Sequence, residues 1–149
     1  MAESALPPNP DFAATVRASF RRQTFMAALG ARLERVEPGV VHVGVPFSAE
    51  HTQQNGFLHA GVLASVADSA CGYAALSVVP SGCDVLAVEF KINLLRPARA
   101  RHFVAEAKVL RAGRTLVVSF AEVWGEQDTG RELVATMLST VISRPVPEG

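Results

Sequence analysis

Apolar and polar residues alternate along much of the second half of the chain. Between Asp84 and Arg96, Leu86, Val88, Phe90, Ile92 and Leu94 alternate with Ala87, Glu89, Lys91 and Asn93. Between Phe103 and Arg111, Phe103, Ala105, Ala107 and Val109 alternate with Glu106 and Lys108. A period of two with one wet face predicts antiparallel strands. Thr115–Trp124 and Leu133–Ile142 are runs rich in Val, Thr, Phe and Leu and read as two more. Short turn-like connections, Pro97–Arg101, Ala112-Gly113 and Glu126–Gly130, join them. Upstream, Arg32–Val36 and Val40–Pro46 are short extended runs, with Glu37-Pro38-Gly39 between them in turn-forming order.

Two segments break this rhythm. Asp11 is placed to cap a helix over 12–28, whose Phe12, Val16, Phe20, Phe25 and Met26 lie broadly on one side, with Gly30 as the stop. The stretch from His59 to about Val78 is too long and too rich in Ala for a strand, and Pro80-Ser81-Gly82 ends it. It is apolar nearly all round, which predicts burial on every side. The order helix, two strands, long buried helix, four strands predicts an α+β domain with an antiparallel sheet wrapped around the central helix. Strand and helix do not alternate, which argues against a doubly wound nucleotide fold.

The 149 residues suit one domain, expected over 11–145, after a loose arm over 1–10 that holds three prolines. Lys+Arg and Asp+Glu both number 14, so no global field points to nucleic acid or anionic lipid. An anionic ligand must therefore be held by a local cluster. Cys71 and Cys83 give neither a disulfide framework nor a metal spacing, and His51 and His59 are too few and too poorly spaced to complete a site with them. No metal and no cofactor are expected. The opening residues lack a basic segment followed by an apolar run, so no signal peptide is expected and the protein is read as cytoplasmic. Phe57 to Val79 is long enough to span a bilayer, but it is built from Ala, Ser, Gly and Val around a central Asp68, and no membrane span is expected.

Asp68 is the most informative residue. It is the only acid between Glu50 and Asp84 and sits mid-helix among Val66, Ala67, Ala70 and Cys71. A carboxylate there must be neutral, paired, or turned to a cleft. It is either a structural acid, capping a loop or pairing with an arginine across an interface, or a reactive one. The loop His51–Gly61 is polar and then small, and puts His59, Ala60 and Gly61 at a helix start whose N–H groups lack intrahelical acceptors and can hold an oxyanion. Ala60 and Asp68 are eight residues apart, roughly 12 Å along the axis. If both act on one substrate, the second must come from another subunit, which predicts a dimer with shared sites. Arg96-Pro97-Ala98-Arg99-Ala100-Arg101-His102, with Arg111 and Arg114, offers guanidinium groups either for substrate phosphates or merely for a solvated sheet edge. Phe57, Val62, Tyr73 and the Asp84–Arg96 strand are candidate pocket walls.

His51…Asn55-Gly56-Phe57-Leu58-His59-Ala60-Gly61…Asp68 resembles the central motif of hotdog-fold thioesterases of the phenylacetic-acid-degradation (PaaI-like) type, N-G-x-x-H-G-G-x-x-x-x-L-x-D. Val88–Ala98 with Gly113-Arg114, and the closing Leu133-Val134-Ala135-Thr136, also resemble that family; the resemblance covers about residues 24–143. It implies a hotdog fold, hydrolysis of acyl-CoA thioesters, a homodimer or dimer of dimers, and no cofactor. By position it makes Asp68 the catalytic carboxylate, Ala60 the backbone N–H donor to the thioester carbonyl, and Gln53 the side chain that orients water or the leaving side. His59 and Gly61 complete the helix start, and Asn55, Gly56, Phe57, Arg96 and Arg114 are expected to bind substrate. The family's first Gly after His is here Ala60, and Ala87 stands where the family often carries Ser or Thr. Two rival readings remain: a hotdog enoyl-CoA hydratase or dehydratase, whose motifs are not seen, and a non-catalytic acyl-CoA-binding module.

Overall fold

The computed structural model describes residues 9–146. Except for Asn9 and Pro10, the arm expected over 1–10 lies outside the described residues. The helix expected over 12–28 is two helices, α1 (Phe12–Arg22) and α2 (Thr24–Ala28). The break falls at Gln23, whose backbone is extended while its side-chain Nε2 donates to the Tyr73 hydroxyl at 3.1 Å. Tertiary hydrogen bonding there overrides a helix-compatible sequence. Asp11 occupies the N-cap position without a side-chain capping bond. Asn9 organises this start instead: its Oδ1 accepts from the Asp11 N–H at 2.9 Å and its Nδ2 donates to Thr15 Oγ1 at 3.0 Å.

Six strands form one antiparallel sheet: β1 (Arg32–Glu37), β2 (Val40–Pro46), β3 (Cys83–Leu94), β4 (His102–Ala112), β5 (Leu116–Gln127) and β6 (Gly130–Pro145). Their order is β1-β2-β4-β5-β6-β3, so β1 and β3 are the two edges. Gly39, at φ +73°, closes the β1–β2 hairpin in a conformation that suits glycine. The long helix α3 (Ala60–Leu76) packs against β2, β3, β4, β5 and β6. Its Leu63, Val66, Ala67, Ala70 and Ala74 are buried against Val43 of β2, Ala105 of β4, Val123 of β5 and Met137 of β6. Each fully buried Val or Leu contributes roughly 1.5–3 kcal/mol, and the many alanines let the helix lie close to the sheet. Ser77, at the C-cap of α3, accepts a hydrogen bond from the Gly39 N–H at 2.7 Å and ties the far end of the helix to the β1–β2 turn.

β3 departs from simple alternation. A bulge between Ala87 and Glu89 leaves Val88 without a cross-strand partner. Leu86 pairs with Ile142, but beyond the bulge Phe90 pairs with Ser139 and Ile92 with Met137, the inward residues of β6. Ala87 thus shares the helix-facing side with Phe90 and Ile92, while Leu86 shares the outer side with Glu89 and Lys91. The extra residue in the bulge switches the face on which the apolar series lies.

Candidate active site

The loop before α3 is a small folded unit. Thr52 and Leu58 form an isolated bridge, the Gln53 N–H donates to Phe57 O at 2.9 Å, and Gly56 turns the chain at φ +81°. The Gln53 side-chain oxygen accepts from the Asn55 N–H. The His59 N–H donates to His51 O at 2.9 Å, and Leu58 N–H to Ala98 O at 3.2 Å, docking the loop on the segment after β3. His51 Nδ1 is buried without a hydrogen-bond partner among the described residues.

His59 is the N-cap of α3. Its Nδ1 accepts from the Gly61 N–H at 2.8 Å, and its carbonyl accepts from the Val62 N–H at 2.9 Å. Among the described residues the Ala60 N–H has no acceptor, so of the three helix-start residues singled out by sequence, Ala60 offers the open donor. It lines a cleft of about 420 Å³ together with Gln53, Phe57, Leu63, Leu94 and Arg96. Arg99 is held nearby, its guanidinium 4.7 Å over the Phe57 ring.

Asp68 lies elsewhere, in a second cleft of about 300 Å³ between α1, α3 and the start of β3. Its walls include Ser19, Gln23, Ser69, Gly72, Tyr73 and Ala87. Asp68 is half-buried, and among the described residues no cation or hydrogen-bond donor stabilises its charge. Burial alone raises its pKa. An unpaired, partly desolvated carboxylate facing a cleft is a functional-site candidate. One turn on, burial and then the Asp68 charge push the Cys71 thiol up to about 12, which makes it an inert core residue.

The sequence-predicted residues therefore fall into groups. Gln53, Phe57, Ala60 and Arg96 come together; Asp68 is not with them, and the two clefts share no lining residue. Asn55, Gly56 and Arg114 are exposed and line neither, and Val62 is buried under the helix start. Arg96 is engaged with Glu132 at 3.1 Å and with Leu133 O at 2.8 Å, and Arg101 with Asp128. Exposed pairs of this kind contribute about 0–1 kcal/mol and can be exchanged for a ligand. Ser19, Gln23 and Ser69, which stand beside Asp68, carried no sequence signal, because their roles depend on α1 folding back onto α3. Among the described residues no group of three His, Cys, Asp or Glu side chains is arranged for a metal, and no helix is long and apolar enough to cross a membrane.

A long helix held in the curve of a six-stranded antiparallel sheet is the α+β hotdog fold. A family model described as "Thioesterase superfamily" matches residues 55–131, from the loop before α3 to the start of β6. The chain belongs to the thioesterase superfamily. It is 44% identical to a thioesterase family protein of Silicibacter pomeroyi, over 91% of this chain and 99% of that one, with a TM-score of 0.89. It is 38% identical over 90 residues to a candidate esterase of Saccharolobus solfataricus, a match that covers 60% of this chain and 64% of the relative. The medium/long-chain acyl-CoA thioesterase YigI of Escherichia coli is 27% identical over 119 residues, 69% of this chain and 76% of YigI. PaaI proteins stand among the solved structures of like fold at 24 and 30% identity. Membership is thus at the level of the superfamily, with the PaaI type a finer assignment.

Proposed function

We propose that the chain hydrolyses acyl-CoA thioesters, as a homodimer whose two active sites each combine Asp68 of one protomer with the Ala60 N–H of the other. The separation of the two clefts carries this reading. Asp68 is unpaired in one, Ala60 is open in the other, and about 12 Å of helix lies between them.

The edge strand supplies the means to join them. On β3, Leu86, Val88, Phe90 and Leu94 are between 44 and 56% exposed, an apolar edge of a kind that isolated proteins avoid. The start of β3 (Asp84, Val85, Ala87) walls the Asp68 cleft, and its end (Leu94, with Leu95 and Arg96 after it) walls the Ala60 cleft. An antiparallel twofold pairing of β3 with a second β3 about the middle of the strand brings the start of one copy beside the end of the other. Each Asp68 cleft then abuts the partner's Ala60 cleft.

In that composite site the Ala60 N–H and the positive end of α3 stabilise the oxyanion that forms on the thioester carbonyl. Asp68 takes a proton from water as the water's oxygen bonds to the acyl carbon, or attacks that carbon itself and displaces the thiolate to give an acyl–Asp68 anhydride, which water then cleaves to regenerate the carboxylate. The C–S bond breaks, the sulfur leaves with a proton as the CoA thiol, and the acyl group leaves as the free acid. Incorporation of ¹⁸O from labelled water into the Asp68 carboxylate over many turnovers marks a covalent route in which water opens the anhydride at the Asp68 carbonyl. In this reading Arg96, which lines the Ala60 cleft, and Arg99, which lies over the Phe57 ring, hold the phosphates of CoA. The PaaI type, read from the Asn55–Asp68 motif, is part of the same proposal. The test is a hydrolysis screen over short, long and aromatic acyl-CoAs with wild type and Asp68→Asn. Turnover that survives Asp68→Asn at the wild-type rate overturns the assignment.

A further inference from the structure

Gly72 stands in the interior of α3, where glycine destabilises a helix relative to alanine. The packing of the chain does not require it, since a Cβ built at this position meets no heavy atom within 4 Å. Gly72 lies four residues after Asp68, so it falls on the same helix face one turn further on, and both line the same cleft. Val85 and Ala87 of β3 line the same cleft.

The cleft has a closed end. Ser69, Tyr73, Leu76 and Val141 are buried, whereas Arg22 and Asp84 on the rim are exposed. Tyr73 is fixed there: Gln23 Nε2 donates to its hydroxyl at 3.1 Å, Ser69 Oγ donates to Gln23 Oε1 at 3.2 Å, and the Phe20 ring meets the Tyr73 ring edge to face at 5.7 Å. The space of about 300 Å³ holds roughly ten non-hydrogen atoms at ~30 Å³ each.

We propose that Gly72 is the size gate of the acyl site: the acyl group lies across its bare backbone, between α3 and β3, and stops against Tyr73. Acyl groups of roughly ten non-hydrogen atoms or fewer fit this cleft and are the expected preferred substrates. The inference rests on the reading of Asp68 as the catalytic carboxylate. It gives a reason for glycine at a position where alanine fits and would stabilise the helix, because a methyl group there occupies the acyl path.

The experiment compares wild type, Gly72→Ala and Gly72→Leu in the full chain, by kcat/KM for acetyl-, hexanoyl- and lauroyl-CoA, melting temperature and solution mass. Wild type is expected to turn over hexanoyl-CoA at least about tenfold better than lauroyl-CoA. Gly72→Ala is expected to raise the melting temperature yet lower the hexanoyl-to-acetyl ratio a few-fold, and Gly72→Leu to lower it by about tenfold or more, mainly through KM. A ratio within about twofold of wild type in both variants, lauroyl-CoA turned over as well as hexanoyl-CoA, or an altered solution mass in Gly72→Ala would each overturn the gate. If wild type hydrolyses no thioester, it is the catalytic reading that fails. The gate is then read from calorimetric binding of non-hydrolysable thioether analogues of acetyl- and hexanoyl-CoA. The same loss of hexanoyl preference in Gly72→Leu sustains it, and an unchanged ratio overturns it.

Discussion

The His59 Nδ1 atom accepts a hydrogen bond from the Gly61 N–H at 2.8 Å. The imidazole therefore works as an N-cap, and one of the two donors first available at the helix start is already used. His59→Ala is expected to destabilise the fold by about 1 kcal/mol, the usual loss for a missing cap. His59→Asn, whose side-chain oxygen can accept from the same region, should restore most of it. Urea midpoints of the three proteins check this. A His59→Ala variant as stable as wild type would mean that the 2.8 Å contact contributes nothing to the helix start.

Asp68 predicts opposite consequences for stability and for activity. Its pKa is raised by burial, so between the unfolded and folded values the native state binds more protons than the unfolded chain. Stability contributed by this group thus falls as pH rises through that window, and above the folded pKa the cost of the buried charge is fully present. Asp68→Asn, which carries no charge, is expected to melt above wild type at pH 7, and the difference should vanish below about pH 3.9. Activity runs the other way. Asp68→Asn is expected to lose about 10²-fold or more in kcat, and the acid limb of the wild-type pH profile should lie above the ordinary carboxylate value. Parallel melting curves and pH–rate profiles decide both.

How far these features could be read from the sequence depends on whether a local pattern carries them. Asp68 stood out because a lone acid in an Ala-rich, all-round apolar segment conflicts with its surroundings, and α3 was visible because its length and Ala content exclude a strand. The order of elements was legible for the same reason. Gln23 was not: its break depends on Tyr73 and Ser69, 50 and 46 residues away in sequence. Nor was the bulge at Val88, since alternation registers residue spacing but not an extra residue absorbed by one strand. Simple alternation puts Phe90 and Leu86 on one face, and the bulge sets them on opposite faces. The arginines were visible as a cluster, but the pairing of Arg96 with Glu132 depends on β6 ending its turn beside β3.

Whether the apolar edge of β3 is an interface can be decided with one charge. Val88 is 56% exposed at the bulge, and its side chain has no cross-strand partner within the sheet. Val88→Lys is expected to leave the protomer folded, since little is buried there, but to oppose edge pairing as natural gatekeeper lysines do. Sedimentation should show a dimer turning into a monomer, with loss of thioester hydrolysis in the same samples. A monomeric variant with wild-type turnover would refute the composite site while leaving the fold untouched.

The sharpest test of a site shared between protomers removes the Ala60 N–H without disturbing the helix. Proline does this at position 60, because it is the first residue of α3, where proline is well tolerated. The residue before a proline is held to extended backbone, and His59 already has φ −62° and ψ 138°. Ala60→Pro should therefore fold, and it is expected to lose about 10²–10³ in kcat, the usual effect of deleting an oxyanion donor. Asp68→Asn alone is also inactive in this scheme. In a mixed dimer of the two variants, one site carries both lesions and the other carries neither, because Asp68 and Ala60 of each site come from different chains. Co-expressing the two with separate affinity tags and isolating the mixed dimer should restore about half of the wild-type activity per dimer, counting one intact site of two. If both residues of a site came from the same chain, each site in the mixed dimer would carry one lesion and no activity would return.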